Sequence, residues 1–268
     1  MSIALVVSDV DGTLVDKQKK VTPATIAAVE RLRAAGIAFT IISARPMSGM
    51  LPIAEALALD GDMAAFNGGI VFRRDGSVSR HLTITPEVAR GIVALTKDAP
   101  VETWVFADDR WYATDPNGPH TASERIAANQ EPVAVTDLDP LLDRADKITF
   151  VSDDERQLRQ LAERVGVQFR DLATIMQSQT YYLDVTALGA DKGAGLGALS
   201  DAFCVHFANI AAIGDQANDL PMLKLAGRSI AMGNAPDAVK AVAHDVTRGN
   251  DEDGVAHAID TLILSGVS

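Results

Sequence analysis

Asp9-Val10-Asp11-Gly12-Thr13-Leu14 follows, one residue on, the apolar run Ile3-Ala4-Leu5-Val6-Val7. A run that short and that rich in β-branched residues reads as a buried strand of a parallel sheet, and open α/β sheets hold their ligands at the carboxyl ends of their strands. Two carboxylates two residues apart are costly to bury there without a cation or a proton. The stretch therefore asks for a metal, and Gly12-Thr13 supplies a tight turn whose backbone N–H groups can face an anion. An ordinary surface turn is the competing reading, because Asp and Gly are common turn residues.

Outward from that stretch the first third alternates strand and helix. Thr22-Pro23 reads as an N-cap followed by proline at the first helical position, with Ile26, Val29 and Leu32 on one face and Gly36 as the stop. Ile37 to Ile42 is a second buried strand, ending in Ser43-Ala44-Arg45-Pro46. A second helix runs to about Leu57, and Met63 to Phe66 leads into the turn Asn67-Gly68-Gly69. Such alternation predicts right-handed crossovers and a parallel sheet.

The middle of the chain changes character. Ile70–Phe72 and Val78–Ile84 flank Arg74-Asp75-Gly76, and Val101–Ala107 and Trp111–Thr114 flank Asp108-Asp109-Arg110, both hairpin signals. Helices over Pro86–Lys97 and Asp153–Val165, a strand at Lys147–Val151 and strands near 174–177 and 181–185 complete an α+β module that holds both tryptophans and all three tyrosines. The last third returns to alternation: a helix from Asp191-Lys192-Gly193, a strand Ile210–Ile213 into Gly214-Asp215, a helix after Asn218, a strand Arg228–Met232 and two closing helices. The fold class is α/β, a Rossmann-like parallel-sheet core over residues 1–82 and 189–268, interrupted by the α+β module over 83–188.

Composition narrows the function. A net charge of −12 and 47% hydrophobic residues describe a soluble globular chain and argue against general nucleic-acid binding, which needs a basic footprint. No apolar stretch approaches membrane-spanning length, and the opening residues read as a strand rather than as a signal peptide. A single cysteine, Cys204, excludes an intrachain disulfide framework and fits a reducing cytoplasm; its apolar flanks predict a buried structural role. Acidity still permits an anionic substrate, provided that a lysine, an arginine or a metal supplies local positive charge.

Four separated stretches share one placement. Asp9 and Asp11, then Ser43, then Lys192 opening a helix, then Gly214-Asp215-Gln216-Ala217-Asn218-Asp219 each fall at a strand's carboxyl end or a helix start. Together they assemble carboxylates, a cation, a hydroxyl and helix N-termini, the parts phosphoryl transfer requires. Read singly, Lys192 is a surface lysine, Ser43 a turn residue, and Asp215 and Asp219 helix caps. The five histidines lack metal-ligand spacing. Asn250, Asp251 and Asp253 read equally as an N-cap cluster, and Arg45 either approaches the site or forms a structural salt bridge. Of Trp104, Trp111 and Tyr181, two are expected in core packing and one against a sugar-sized pocket.

These motifs resemble those of the haloacid dehalogenase-like phosphatases: Asp-Val-Asp-Gly-Thr-Leu, Ser43, Lys192, and Gly214-Asp215 followed by Asn218-Asp219 and Met222. The long insertion between Ser43 and Lys192 resembles that of the Cof-type members, subfamily IIB. Phe66-Asn67-Gly68-Gly69, Ala231 to Ala235 and Thr247 to Ala256 add matches; Gly69 and Gln216 depart mildly from the commonest residues. The resemblance implies an α+β cap domain and a Mg²⁺-dependent phosphatase acting on a small phosphorylated metabolite, most simply a sugar phosphate. It implies Asp9 as the nucleophile that becomes an aspartyl-phosphate and Asp11 as general acid and base. Mg²⁺ would be held by Asp9, the Asp11 carbonyl and Asp215, with Asp219 orienting the shell or binding directly. Gly12, Thr13, Ser43, Ala44, Lys192 and Asn218 would hold phosphate or substrate. A phosphomutase of the same superfamily and a non-catalytic phosphometabolite-binding module are the alternatives.

Overall fold

The computed structural model describes residues 2–266. The chain opens with β1 (Leu5–Ser8), α1 (Pro23–Ala34), β2 (Ala38–Ile41) and α2 (Met47–Ala56), then three short strands, β3 (Met63–Ala65), β4 (Ile70–Phe72) and β5 (Val78–His81). Thr22 caps α1 by accepting the Thr25 N–H at 3.2 Å, and Gly36 leaves the helix at φ +75°. The middle comprises α3 (Pro86–Thr96), β6 (Glu102–Ala107), β7 (Arg110–Ala113), α4 (Thr121–Ala128), β8 (Val133–Ala134), β9 (Ala145–Val151), α5 (Glu155–Phe169), β10 (Ala173–Gln179) and β11 (Tyr182–Ala187). The last part runs α6 (Lys192–Phe203), β12 (Ile210–Gly214), α7 (Leu220–Leu225), β13 (Arg228–Ala231), α8 (Asp237–Lys240), β14 (Asp245–Val246) and α9 (Gly254–Ala258).

The parallel sheet is five-stranded, ordered β14-β13-β12-β1-β2. Both faces of its strands are covered, which explains their unbroken apolar runs. Val6, Phe39, Ile41, Ala211 and Ile213 pack with α1 and α9, while Leu5, Val7, Ile210 and Ala212 pack with α6 and α7. β1 and β12 are central and sequence-distant, so the ends of both bring Asp9 and Asp215 to one edge. β1 begins two residues later than its apolar run suggests and extends through Ser8, which is paired with both Ile41 and Ile213.

A six-stranded sheet, ordered β10-β11-β9-β6-β7-β8, carries the expected second hairpin: Asp108 and Asp109 both adopt positive φ between β6 and β7, the backbone that matches strand twist. It is antiparallel except for the short β7–β8 pairing. β3, β4 and β5 form a separate antiparallel sheet containing the first hairpin.

Cross-strand pairing fixes which side chains share a face of the six-stranded sheet. Lys147 lies opposite Phe106, Thr149 opposite both Trp104 and Asp184, and Val151 opposite Tyr182. The other face, with Val105, Ile148, Phe150, Leu183 and Val185, is closed by α3 and α5 residues such as Ile92 and Leu161. Trp104 and Trp111 are fully buried and meet edge-on at 4.9 Å, worth about 0.5–1.5 kcal/mol beyond area burial. They are core residues, as expected for two of the three aromatics, and Tyr181 is the one against the cleft.

Cys204 departs from its expected burial. It is exposed and ends α6 in the left-handed region at φ 52°, where the helix turns out toward Val205 and the side chain is carried to solvent. Asn250, Asp251 and Asp253 likewise make no side-chain cap, a role that falls to Glu252, which accepts the Gly249 N–H at 3.3 Å. Asp253 accepts from the Thr22 hydroxyl at 2.6 Å, Asp251 pairs with Lys17, and Asn250 donates to the Val15 carbonyl at 2.9 Å, so the cluster ties down the loop after β1. Among the described residues, no helix is long and apolar enough to cross a membrane.

Candidate active site

At the end of β1 the chain turns sharply through Gly12, whose φ of +84° leaves no room for a side chain: a Cβ there would lie 2.5 Å from Asp215 Oδ2. Thr13 Oγ1 donates to Asp215 Oδ1 at 2.9 Å, and Gln216 Nε2 reaches Asp215 Oδ2 at 3.2 Å. Asp219 spends one oxygen on the backbone N–H groups of Asp215 and Gln216, both at 2.8 Å, closing a capping box. Asp219 is thus a helix cap, and the cap also fixes the direction of Asp215. Gly12→Ala is expected to displace Asp215, lowering turnover by ~10²-fold, as a misplacement of about 1 Å does. Turnover equal to wild type in that variant would show that Asp215 does not need this packing.

Asp9, Asp215 and Asp219 are all buried, and each offers an oxygen within 4.8 Å of the others. One ammonium answers them: Lys192, itself 1% exposed, donates to Asp9 and to Asp219. Asp191 caps α6 through the Gly193 and Ala194 N–H groups, which sets Lys192 at its first turn. Three carboxylates against one ammonium leave an excess of buried negative charge. Burial pushes the Asp9 carboxyl above its usual range, against the pull of Lys192, and pushes Asp215 up to about 6. Burial works to lower Lys192, but Asp219 and Asp9 overcome it and hold the ammonium charged. A donor set of hard oxygens with surplus charge fits a divalent cation.

Asp11 lives differently. Arg45 grips it with two parallel hydrogen bonds, Nε to Oδ2 at 2.7 Å and Nη2 to Oδ1 at 2.8 Å, and Lys19 Nζ adds a third at 2.6 Å. Burial acts to raise its carboxyl, yet the Arg45 and Lys19 bonds and charges outweigh it and hold Asp11 well below the usual carboxylate range. The two aspartates of the opening motif therefore have opposed environments, the condition for dividing acid–base labour. This geometry holds Asp11 ionised, and its protonation would require the Arg45 grip to loosen. Arg45 is a structural ion pair and a site residue at once, braced further by the Gly49 carbonyl.

Of the expected residues, Asp9, Asp11, Ser43, Ala44 and Asn218 line one cleft, while Thr13, Lys192, Asp215 and Asp219 form the buried layer with them. Asn218 is held toward Asn67, 3.5 Å away although 151 positions separate them in the chain. The cleft's opposite wall comes from the six-stranded sheet and α4: Glu124, Lys147, Tyr181, Tyr182 and Asp184. Sequence reasoning singled out Tyr181 as a pocket candidate and missed Glu124, Lys147, Tyr182, Asp184 and Lys19. One signal was available, since Asp146, Lys147 and Thr149 place polar side chains in a strand, Ala145–Val151, whose residues are all buried.

The fold and this arrangement define an α/β enzyme built for phosphoryl chemistry. The sequence profile of the haloacid dehalogenase-like hydrolases matches residues 6–259, and the chain belongs to that family, in its Cof-type phosphatase group. It is similar to the 5-amino-6-(5-phospho-D-ribitylamino)uracil phosphatase of Bacillus subtilis, 29% identical with 94% of each chain covered. It is also similar to the pyridoxal phosphate phosphatase of Escherichia coli, 27% identical over 98% of this chain and 100% of the other. A haloacid dehalogenase-like hydrolase from Bacteroides thetaiotaomicron superposes with a TM-score of 0.86 at 26% identity, covering 97% of this chain and 99% of that one.

Proposed function

We propose that this phosphatase is Mg²⁺-dependent and hydrolyses the monoester of a small phosphorylated metabolite, a sugar phosphate in the first instance, through an aspartyl-phosphate on Asp9. The observation that carries the reading is the trio of buried carboxylates around one ammonium at the floor of the cleft. Residues 83–188 act as a cap over a core made of 1–82 and 189–268. The two relatives named above act on phosphorylated small molecules by their own descriptions, which supports the substrate class. The strongly acidic chain favours a soluble cytoplasmic metabolite over nucleic acid.

Asp9 and Asp215 would hold the cation, with the Asp11 backbone carbonyl, and Asp219 would position Asp215. When bound, the cation supplies charge neutralisation for the incoming phosphate. Asp9 attacks phosphorus in line as the bond to the ester oxygen breaks. The leaving oxygen takes a proton from Asp11, and Asp11 later recovers one from the water that cleaves the acyl phosphate. An arriving phosphate dianion competes for Arg45 and Lys19, which releases Asp11 toward its protonated form. Ser43, Ala44, Asn218 and the Gly12-Thr13 turn approach the phosphoryl oxygens, and Lys192 opposes the effect of burial on Asp9 and orients it.

An isomerising phosphotransfer would need a second phosphate site. Among the described residues of the cap wall, Lys147 is the one cation, and two acids stand beside it, which favours hydrolysis. Phosphate release from sugar phosphates, measured with Mg²⁺ and with chelator, tests the proposal; metal-independent release, or isomerised sugar phosphate in place of inorganic phosphate, would overturn it.

The metal part has a second readout. A carboxyl raised to about 6 in the fold contributes stability that is present below its unfolded value and lost as pH rises through 6. A cation restores that loss by replacing the proton. Mg²⁺ at ~100 times its Kd should therefore add up to about 2.7 kcal/mol at pH 7.5, or about 5–10 °C in Tm, and clearly less at pH 5. Equal shifts at both pH values would speak against Asp215 as a ligand.

A further inference from the structure

The cap wall of the cleft is polar where its sheet is otherwise aromatic. Trp104, Phe106 and Trp111 share its inner face with Lys147, Thr149 and Asp184. Asp184 is 2% exposed, accepts the Thr149 hydroxyl at 2.7 Å through Oδ1, and leaves Oδ2 buried with no partner. Glu124, on α4, enters the same cleft and is more than nine-tenths buried. Lys147 Nζ stands 3.9 Å from Asp184, 4.4 Å from the Phe106 ring centroid, and donates to the Ala44 carbonyl beside the catalytic loop at 3.2 Å. The Lys147 ammonium is thus already committed to a carbonyl, a ring and one acid. Burial pushes the Glu124 carboxyl above its usual range, although Lys147 pulls it down, so the wall keeps an acid where a fold selected for stability alone would not.

We propose that Glu124 and Asp184 form a leaving-group subsite that accepts hydrogen bonds from a neutral polyhydroxy alcohol, or one bearing an ammonium, and rejects a leaving group that carries a second anion. The proposal rests on the phosphatase reading and adds to it the chemistry of the alcohol. Two acceptor acids, one of them with a buried unfilled oxygen, reward hydroxyl donors, while a carboxylate or second phosphate placed against them meets like charge in a dry site. Lys147 tempers that field and ties the subsite to the loop that holds Ser43, so a leaving group seated on the cap is registered against the phosphoryl end.

A matched pair of substrates isolates the effect. Sorbitol 6-phosphate and 6-phosphogluconate share chain length and phosphate and differ by a terminal carboxylate. The wild-type kcat/KM ratio should favour sorbitol 6-phosphate by at least ~30-fold, since an unpaired buried charge is a strong discriminator. Glu124→Gln and Asp184→Asn should each shrink that ratio by ~10-fold, chiefly by raising KM for the polyol and lowering it for the acid, and Lys147→Met should widen it. A ratio near one in wild type overturns the subsite. So does a fall in both substrates by the same factor in the two acid variants, which is what a merely structural role produces. Failure of the wild type to release phosphate from either compound or from p-nitrophenyl phosphate overturns instead the phosphatase reading beneath it.

Discussion

Asp9→Asn should lose phosphate release by at least ~10⁴-fold and keep its fold, because an amide cannot serve as the covalent nucleophile. Stability is expected to hold or rise. Asp9 is one of three buried acids facing one ammonium, and burial already holds its carboxyl above the usual range. Removing one negative charge relieves that excess, while Lys192 retains Asp219 as a partner. Activity and thermal unfolding measured on one preparation settle the matter. Mg²⁺-dependent turnover in the variant would end the nucleophile assignment, and a collapsed melting transition would show that Asp9 supports the fold rather than only the chemistry.

Lys192→Met should fail in both respects. The ammonium is 1% exposed and lies between Asp9 and Asp219, so its loss strands two buried carboxylates. Breaking such a network costs about 3–5 kcal/mol, or about 6–20 °C in Tm for a chain of this size. Turnover should fall by ~10²–10³-fold with the loss of fixed positive charge near the phosphate. The stability deficit should be smaller at pH 5 than at pH 8, because the stranded acids take up protons as pH falls. A deficit that ignores pH would mean that lost packing, not lost charge, explains the variant.

The buried polar layer of the candidate site was legible because its residues stand at fixed points of a repetitive scaffold. Each apolar strand of the parallel sheet announces its own carboxyl end, so the sequence alone sets Asp9, Ser43 and Asp215 along one edge. What stayed hidden depended on long-range pairing. The grip of Arg45 on Asp11 joins positions 34 residues apart, and nothing in the spacing says that Lys19 completes it. The residues of the cap wall were invisible for a related reason: Glu124 sits on a short helix, and Asp184 and Lys147 share a face only through the register of β9 with β6 and β11. Cys204 misled because apolar neighbours predict burial, whereas the left-handed turn that ends α6 decides where its side chain points. Asp11 is the instructive middle case. Its place in the motif was plain, but its ionisation is set by a partner that the motif does not contain.

The aromatic wall has a use outside chemistry. Trp104 and Trp111 are the only tryptophans in the chain, they touch one another, and they lie on the sheet face that bears Lys147 and Asp184. All indole emission from this protein therefore originates within a few side chains of the cleft, with Tyr182 against one ring and Phe106 against the other. The molecule carries its own optical probe at the surface where a leaving group would sit, and needs no label to report what happens there.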